Sequence, residues 1–167
     1  MSIESIFPIT LIVATFFATL VAGFLFGFAI VAMPGLKRLT DREFIRAFQG
    51  MDRIIQNNHP LFILVWGGSA LLLMIAAAFG AGQLTGGARL LLIAAMLIFM
   101  LGVHVPTVTI NVPLNNTLQT VDVAATSAAA HTAARNDFEP RWNQWNRIRT
   151  VCASVASALL LTLLFLL

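Results

Sequence analysis

The hydrophobic residues of this chain form long blocks that no charged residue interrupts. The uncharged runs contain 32, 35, 32 and 18 residues and cover positions 5–36, 54–88, 90–121 and 150–167. A helix that crosses a bilayer needs roughly 20 mostly apolar residues, so the first three runs are long enough, and the fourth must include residues that precede it. The pattern predicts four membrane-spanning helices, over about residues 7–33, 60–80, 88–111 and 146–167.

A different periodicity marks the segment between the first two predicted spans. Its apolar residues recur at helical spacing, at Phe44, Phe48, Met51 and Ile55. Thr40 and Glu43 have the spacing of a capping box, which predicts where this helix begins. Its predicted polar face includes Gln49 and Asp52. Such an amphipathic helix lies either in the membrane interface among the headgroups or as a lid over the mouth of the bundle.

The composition agrees with a membrane protein and excludes other classes. Of the 167 residues, 59% are hydrophobic and 10% are charged, whereas about a quarter are charged in a typical soluble domain. The net charge of +3 does not indicate nucleic-acid binding, because the four spans leave no soluble surface large enough for a recognition fold. The single cysteine, Cys152, excludes an intramolecular disulfide and a site built from several cysteines.

The basic residues fall almost entirely on one side of the predicted membrane. Nine of the ten lie in or beside the first and third loops, and Arg89 alone lies on the other side. The positive-inside bias places the arginine-rich side in the cytoplasm. We therefore expect an integral, multi-pass protein of the inner (plasma) membrane that retains its first span, with both termini outside. The predicted fold is all-α: one domain, residues 1–167, forming a four-transmembrane-helix bundle with an amphipathic cytoplasmic helix between spans one and two.

Polar residues follow one face of span three towards its predicted cytoplasmic end. They recur at i, i+3, i+7 and i+11, as His104, Thr107, Asn111 and Asn115. Pro106 and Pro113 interrupt the same stretch. Each proline removes a backbone donor and frees a carbonyl, which in a membrane must find another partner or line a cavity. The polar stripe therefore either lines a pocket or only ties helices together through side-chain hydrogen bonds.

An aromatic and polar segment precedes span four. Its residues form two overlapping faces of a helix. One face contains Phe138, Trp142, Trp145 and Arg149. The other contains Glu139, Trp142, Asn146 and Arg149. Tryptophans and basic residues at this depth ordinarily act as membrane anchors and topology determinants. An amide or a charge that faces the bundle is costly unless it is paired, which makes Asn146 and Arg149 candidate site residues. The composition of residues 117–135 permits either a further helix or a mobile cover.

Two motifs carry a resemblance to a known family. The chain reads NVPLN at residues 111–115 and, 27 residues further on, WNQWNRIR at residues 142–149. This pair resembles the signature of the anthrone oxygenase-like integral membrane proteins, and residues 33–36 and 44–49 are similar to that family as well. Bacterial members are largely a domain of unknown function, and fungal members are thought to convert anthrones to anthraquinones with dioxygen.

The resemblance implies a membrane oxidase or monooxygenase that acts on a small hydrophobic, anthrone-like compound without a cofactor or metal. The carbonyl of an anthrone acidifies its methylene, so a base and a group that stabilises the oxyanion would suffice. The resemblance implies that Arg149 is a catalytic residue that holds the oxyanion, together with Asn111, Asn115 and Asn146. The candidate catalytic bases, chosen for their chemistry, are His104 first, Glu139 second and Asp52 third. The implied substrate-binding residues are Asn111, Asn115, Trp142, Trp145 and Asn146.

Two other functions remain open at the level of sequence. The chain could bind a lipid or hydrophobic ligand, or support a partner complex, without catalysis. It could also hold a haem or metal, because His59, His104 and His131 all map to the cytoplasmic half, although none has the spacing of a ligand pair. The expected partners are the lipid bilayer and a small hydrophobic aromatic ligand, with no nucleic acid, and the residues do not indicate an oligomeric state.

Overall fold

Helices account for nearly the whole chain. The computed structural model describes residues 3–167, and residues 1 and 2 of the predicted domain lie outside the described residues. In that range the chain forms seven α-helices and no strand, which confirms the predicted all-α fold. The helices are α1 (Ile3–Gly27), α2 (Met33–Leu36), α3 (Asp41–Gln56), α4 (Pro60–Gln83), α5 (Gly86–Phe99), α6 (Val112–Gln119) and α7 (Ala128–Leu166).

Four stretches of continuous helix are long and apolar enough to cross a membrane. Spans one to four are Ile6–Leu36, Pro60–Gln83, Gly86–Gln119 and Ala128–Leu166. They confirm the predicted four-helix bundle, but spans three and four both extend beyond the predicted limits at the end of the bundle where they meet. Residues 117–135 are therefore mostly helical, and only residues 120–127 connect the two spans.

Three π-helical turns interrupt the spans, and each is followed two residues later by a proline. The turns are Phe28–Ala32, Met100–His104 and Thr107–Asn111, followed by Pro34, Pro106 and Pro113. A proline has no N–H and its ring clashes with the carbonyl four residues earlier, so a wider preceding turn accommodates the ring. The interruption of span three that Pro106 and Pro113 predict thus consists of two π turns. These turns rotate the polar residues of the span relative to a regular helix.

Small residues bring the spans close together. α1 packs against α4 and α7, and α5 packs against α7. Ala14 and Ala18 of α1 are fully buried, as is Ala153 of α7, and small side chains allow helix backbones to approach each other closely. Gly102 lies so near span four that a Cβ atom there would be 2.5 Å from the Sγ of Cys152. Cys152 therefore has a packing role at this crossing.

The amphipathic helix α3 begins at the predicted capping box and covers one end of the bundle. The Thr40 hydroxyl accepts the Glu43 N–H, and the Glu43 carboxylate accepts the Thr40 N–H. Its apolar face packs against α7, where the ring of Phe48 lies 4.6 Å from that of Phe138 and 5.5 Å from that of Trp142. α3 therefore covers the mouth of the bundle, as the lid arrangement predicts.

Two residues of α3 that were predicted to lie on its polar face are buried. Gln49 is 8% exposed and Asp52 is 3% exposed. The reason is that α3 packs against α6 as well as α7. The Gln49 amide donates to the carbonyls of Leu118 and Val121 at 2.8 and 2.9 Å. These bonds fix α3 to the far end of span three, so the lid is held from two sides.

We call the end of the bundle that carries α3 and residues 120–127 the basic end. Arg135 of α7 holds the chain together there: its guanidinium pairs with Asp41 at 3.0 Å and with Glu139 at 2.7 Å. It also donates to the carbonyls of Lys37 and Leu39. One arginine thus anchors the connection between span one and α3 to span four.

Candidate active site at the basic end of the bundle

A cavity of about 290 Å³ lies beneath α3 at the basic end. Small-molecule sites are usually clefts of about 300–1,000 Å³, so this volume suits a small ligand. The wall is mostly apolar and aromatic, with contributions from α1, α3, α4, span three and α7. Its polar members are Asp52, Thr107, Asn111, Asn115, Asn146 and Arg149.

Arg149 lies in the cavity wall without a carboxylate partner. It is 4% exposed, and its guanidinium donates to the Thr107 hydroxyl at 2.9 Å and to the Asn146 Oδ1 at 3.1 Å. The buried Nε–H has no hydrogen-bond acceptor, and among residues 3–167 no acidic side chain pairs with this arginine. A buried charge without a counter-charge is costly. The position is therefore suited to an anionic group on a ligand.

Two asparagines line the same cavity as the guanidinium. Asn146 donates to the carbonyl of Leu25 at 3.2 Å while its Oδ1 accepts from Arg149, so span one fixes the amide that orients the arginine. Asn111 donates to the carbonyl of Trp142 at 3.5 Å, and its buried Oδ1 accepts nothing. Arg149 and Asn111 each therefore keep one buried polar atom free, a donor on the first and an acceptor on the second.

Asp52 forms a second polar region of the cavity wall, where side-chain amides donate hydrogen bonds to its carboxylate. Its Oδ1 accepts from Asn115 at 2.8 Å, and its Oδ2 accepts from Gln56 at 2.6 Å and from Gln119 at 2.9 Å. The Asn115 Oδ1 in turn accepts the indole N–H of Trp142 at 2.8 Å. A carboxylate offers about four acceptor sites, and these three hydrogen bonds leave one site on Oδ1 without a partner.

Aromatic rings form the rest of the cavity wall. Six line it, from four elements: Phe24, Phe28, Phe48, Phe62, Trp66 and Trp142. The rings of Phe62 and Trp66 stack at 5.4 Å with an angle of 15° between them, and the ring of Phe28 lies 5.7 Å from that of Trp142. Flat rings on several sides suit a flat aromatic ligand, since aromatic side chains gain from offset stacking and edge contacts.

The cavity opens on the side of the bundle that bears exposed apolar residues. Val108 and Val112 of span three line the cavity and are 67% and 40% exposed. Phe62 of α4 lines the same region and is partly exposed. All three lie inside apolar spans, so the opening between α4 and span three faces the part of the surface that a bilayer would cover.

Comparison with known proteins identifies the family. The family model described as anthrone oxygenase matches residues 52–159. The chain belongs to the anthrone oxygenase family. The match confirms the predicted resemblance over a shorter stretch than expected, because residues 33–36 and 44–49 lie outside it. No curated protein and no solved structure matches the chain.

The part of the chain that matches the anthrone oxygenase family supplies all six polar residues of the cavity wall. Six of the candidate residues predicted from sequence come together there: Asp52, Asn111, Asn115, Trp142, Asn146 and Arg149. Trp142, Asn146 and Arg149 share one face of α7, as their spacing predicts. The two π turns of span three bring Thr107 and Asn111 to the same wall.

His104 lies outside the cavity lining of this anthrone oxygenase family member. The first π turn ends at His104, and its ring packs edge-on against Trp66 at 5.5 Å and Phe99 at 5.1 Å. The Nε2 atom is 3.5 Å from the Ser69 hydroxyl. The tryptophan ring lines the cavity and His104 does not. Of the four polar residues predicted to share one face of span three, Thr107, Asn111 and Asn115 therefore line the cavity. His104 packs between helices.

Glu139 and Trp145 also lie outside the cavity lining. Glu139 is paired with Arg135 at the basic end, one turn of α7 away from the wall. Trp145 is half-buried and stands on the flank of the α7 face that carries Trp142 and Asn146, because residues three apart are rotated relative to each other on a helix. Neither side chain is placed to contact a molecule in the cavity.

No group of three or more His, Cys, Asp or Glu side chains within residues 3–167 is arranged to hold a metal ion. The three histidines have separate surroundings: His59 is exposed at the start of α4, His131 is buried in α7, and His104 packs against Trp66.

Some cavity residues carried no sequence signal that pointed to a site. The rings of Phe24, Phe28, Phe62 and Trp66 lie in uninterrupted apolar runs, where any aromatic residue is equally compatible with lipid contact. Phe24 and Phe28 are four residues apart, as are Phe62 and Trp66, so the two rings of each pair lie on one helix face. Gln56 and Gln119, which hold Asp52, belong to two segments 63 residues apart, and only the packing of α3 on α6 connects them.

Proposed function

We propose that the chain oxidises a small, flat hydrophobic aromatic ketone of the anthrone type with dioxygen, in the cavity beneath α3. One observation carries the proposal: a buried arginine without a counter-charge lies in the wall of a cavity lined with aromatic rings. Such a guanidinium is the group that would stabilise an enolate formed from a bound ketone. Family membership supports the same class of reaction.

The reaction balances with the substrate and dioxygen alone. A base removes one proton from the methylene, and the resulting enolate passes one electron to dioxygen. The carbon radical and superoxide then combine into a carbon–oxygen bond, and a proton completes the hydroperoxide. Loss of the second methylene hydrogen as a proton, with cleavage of the O–O bond, yields the new carbonyl and one molecule of water. The four electrons that reduce dioxygen come from the two C–H bonds of the methylene, whose hydrogens leave as protons, so this route needs no external reductant and no cofactor.

Arg149 would bind the enolate oxygen through its guanidinium, which Thr107 and Asn146 orient. Two hydrogen bonds already fix the guanidinium in this position, one from Nη1 to Thr107 and one from Nη2 to Asn146. Groups that are fixed before charge develops contribute most to lowering a barrier. Asn111 lines the same cavity, and its Oδ1 accepts no hydrogen bond. The pair fits a ketone that carries a neighbouring hydroxyl group, whose O–H would donate to Asn111.

Asp52 replaces His104 and Glu139 as the proposed base. Asp52 lines the cavity, whereas His104 and Glu139 do not. Its carboxylate is held in place by Asn115, Gln56 and Gln119 and keeps one acceptor site free. A candidate base must reach the proton that it removes before its acidity matters, and geometry favours Asp52.

The substrate would reach this site from the membrane. The opening between α4 and span three is bordered by apolar side chains within the spans, so a hydrophobic compound dissolved in the bilayer could enter without crossing water. We place the basic end in the cytoplasm and both termini outside, on the positive-inside bias. The membrane and one small aromatic ligand are the proposed partners.

The test measures oxygen consumption and quinone formation by the purified protein in lipid nanodiscs with an anthrone. Arg149→Gln is compared with Arg147→Gln, which removes an exposed charge only two residues away. Loss of one oxyanion donor typically lowers kcat by about 10²–10³, so we expect a loss of about that size for Arg149→Gln and none for Arg147→Gln. Protein-free nanodiscs measure the spontaneous oxidation.

Two results would contradict this function. Equal rates for wild type and protein-free nanodiscs, with tight binding of an anthraquinone, would favour a non-catalytic ligand-binding protein. A haem absorption band or a stoichiometric metal in the purified protein would favour the cofactor alternative. The proposed contact between a ligand hydroxyl and Asn111 is tested separately. Wild type should bind a hydroxylated anthraquinone more tightly than the parent compound, and Asn111→Ala should remove this difference in affinity.

A further inference from the structure

A second concave surface lies at the basic end, outside the proposed active site. It is a groove of about 550 Å³ between α3 and the connection 120–127. Three arginines of α3 line it: Arg42, Arg46 and Arg53. We call this surface the arginine groove. Its shape and charge do not enter the oxidation proposed above, which uses the opposite side of α3.

The three arginines have no partner of their own. Within the described range, no hydrogen bond or ion pair engages any of their guanidinium groups. The one acidic residue in the groove is Asp122, whose Oδ1 already accepts the N–H groups of Ala124 and Ala125 at 2.9 and 3.2 Å. The groove is therefore positively charged, with donors that remain available.

The walls of the groove are fixed by hydrogen bonds. Gln49 donates to the carbonyls of Leu118 and Val121, and Gln119 donates back to the carbonyl of Gln49 at 3.1 Å. Between the walls stands Gly50, where a Cβ atom would meet nothing within 4 Å. The groove is thus a preformed space, and Gly50 marks its open floor.

The groove also lies at the boundary of the membrane-spanning region. Four residues separate the end of span one from α3, and three separate α3 from span two. Connections this short keep α3 at the level where lipid headgroups carry their phosphates. Basic groups in this zone attract anionic lipids, and guanidinium groups bind phosphate through paired donors.

We propose that the arginine groove binds the phosphate of an anionic lipid headgroup. The general excess of positive charge on one side of membrane proteins accounts for the number of basic residues. It does not account for three unpaired guanidinium groups around one preformed space. The proposal therefore makes a claim about position: arginines inside the groove matter, and equally exposed arginines elsewhere at the basic end do not.

The test compares two triple variants with the same change in net charge. One replaces Arg42, Arg46 and Arg53 with Gln, and the control replaces Arg38, Arg141 and Arg147, which are also exposed. Both are incorporated into phosphatidylcholine nanodiscs, and binding of a fluorescent phosphatidylglycerol is titrated. We expect affinity to fall about tenfold or more in the groove variant and to stay within about twofold of wild type in the control.

A further pair of variants does not depend on removing arginines. Gly50→Glu places a carboxylate in the open floor and should abolish phosphatidylglycerol binding, whereas Gly50→Gln, of the same size, should retain it. Gly50→Glu also tests the groove if the triple variant fails to fold. Neither readout uses substrate, so the result is independent of the oxidation proposal.

Three outcomes would overturn the proposal. Equal loss in both triple variants would assign the binding to general electrostatic attraction. Equal affinity for phosphatidylcholine and phosphatidylglycerol would show that the anionic headgroup is not recognised. Displacement of the lipid by inorganic phosphate at equal concentration would assign the groove to a free anion in place of a lipid headgroup.

Discussion

The guanidinium of Arg149 donates a hydrogen bond of 2.9 Å to the hydroxyl of Thr107. Thr107 opens the second π turn of span three, and its own hydroxyl donates to the carbonyl of Val103 at 2.7 Å. The threonine oxygen can accept from the arginine because its proton is already committed to the backbone. The pair joins spans three and four at the cavity wall and sets the direction of the buried charge.

Replacing Thr107 with Val should impair the reaction without unfolding the protein. The variant keeps the shape of the side chain and removes the acceptor that orients Arg149. A hydrogen bond to a charged group contributes about 1.5–3 kcal/mol, so kcat/KM for the anthrone should fall roughly tenfold or more. Thr109→Val is the matched control, since its hydroxyl also donates to a backbone carbonyl and it lies outside the cavity. Equal rates for the two variants would show that Thr107 does not contribute to the reaction.

Replacing Asp52 with Asn should stop proton removal while leaving binding intact. The direct measurement is exchange of the anthrone methylene hydrogens with deuterated water under anaerobic conditions, where no oxidation follows. We expect exchange to fall to the rate of protein-free nanodiscs in Asp52→Asn and to remain at the wild-type rate in Asp137→Asn, an exposed carboxylate on α7. If the Asp52→Asn variant still exchanges the methylene hydrogens at the wild-type rate, another residue is the base.

The sequence was sufficient to predict the residues whose neighbours lie on the same helix. Periodicity alone placed Asn111 and Asn115 on one face and Trp142, Asn146 and Arg149 on another, and the capping box placed the start of α3. Those features are local, since side chains three and four residues apart meet on a helix. Charge-free runs likewise predicted the four spans.

Residues whose environment depends on distant packing could not be placed in this way. Asp52 has the spacing of an exposed residue on α3, and it is buried because Gln119 and Asn115 of span three reach it. His104 has the spacing of a wall residue, but it ends a π turn and packs against Trp66 instead. Helical periodicity assumes a regular helix, and prolines in span three break that assumption.

A large side chain at Val108 should narrow the entrance from the membrane. Val108 lines the cavity and is 67% exposed, so Val108→Trp would place an indole in the opening between α4 and span three. We expect slower binding of an anthraquinone that is delivered in the bilayer, with dissociation slowed as well. The measurement is the rate at which the ligand quenches tryptophan fluorescence in nanodiscs.

The control for the entrance is Val105→Trp, on the same span. Val105 is also exposed to the membrane side and does not line the cavity, so the same bulk there should leave both rates unchanged. Binding at the wild-type rate in Val108→Trp would show that the ligand enters by another path, such as beneath α3.

The crossing of spans three and four at Gly102 should be intolerant of even one methyl group. A Cβ atom at this position would lie 2.5 Å from the Sγ and 2.6 Å from the Cβ of Cys152, so Gly102→Ala forces the helices apart. Overpacking of this kind usually costs about 1–3 kcal/mol, measured as a lower free energy of unfolding in mixed micelles. Gly67→Ala in α4 meets nothing within 4 Å and should be neutral or stabilising.

Cys152→Gly in the Gly102→Ala background should restore much of the loss, because it removes the atoms that the new methyl group meets. Residues in direct contact show such non-additive effects, whereas distant ones do not. Gly102 lies within the first π turn of span three, so separation of the helices should also displace Thr107 and Arg149. Activity should therefore fall in Gly102→Ala and recover in the double variant, and recovery of stability without activity would show that the crossing does not position the site.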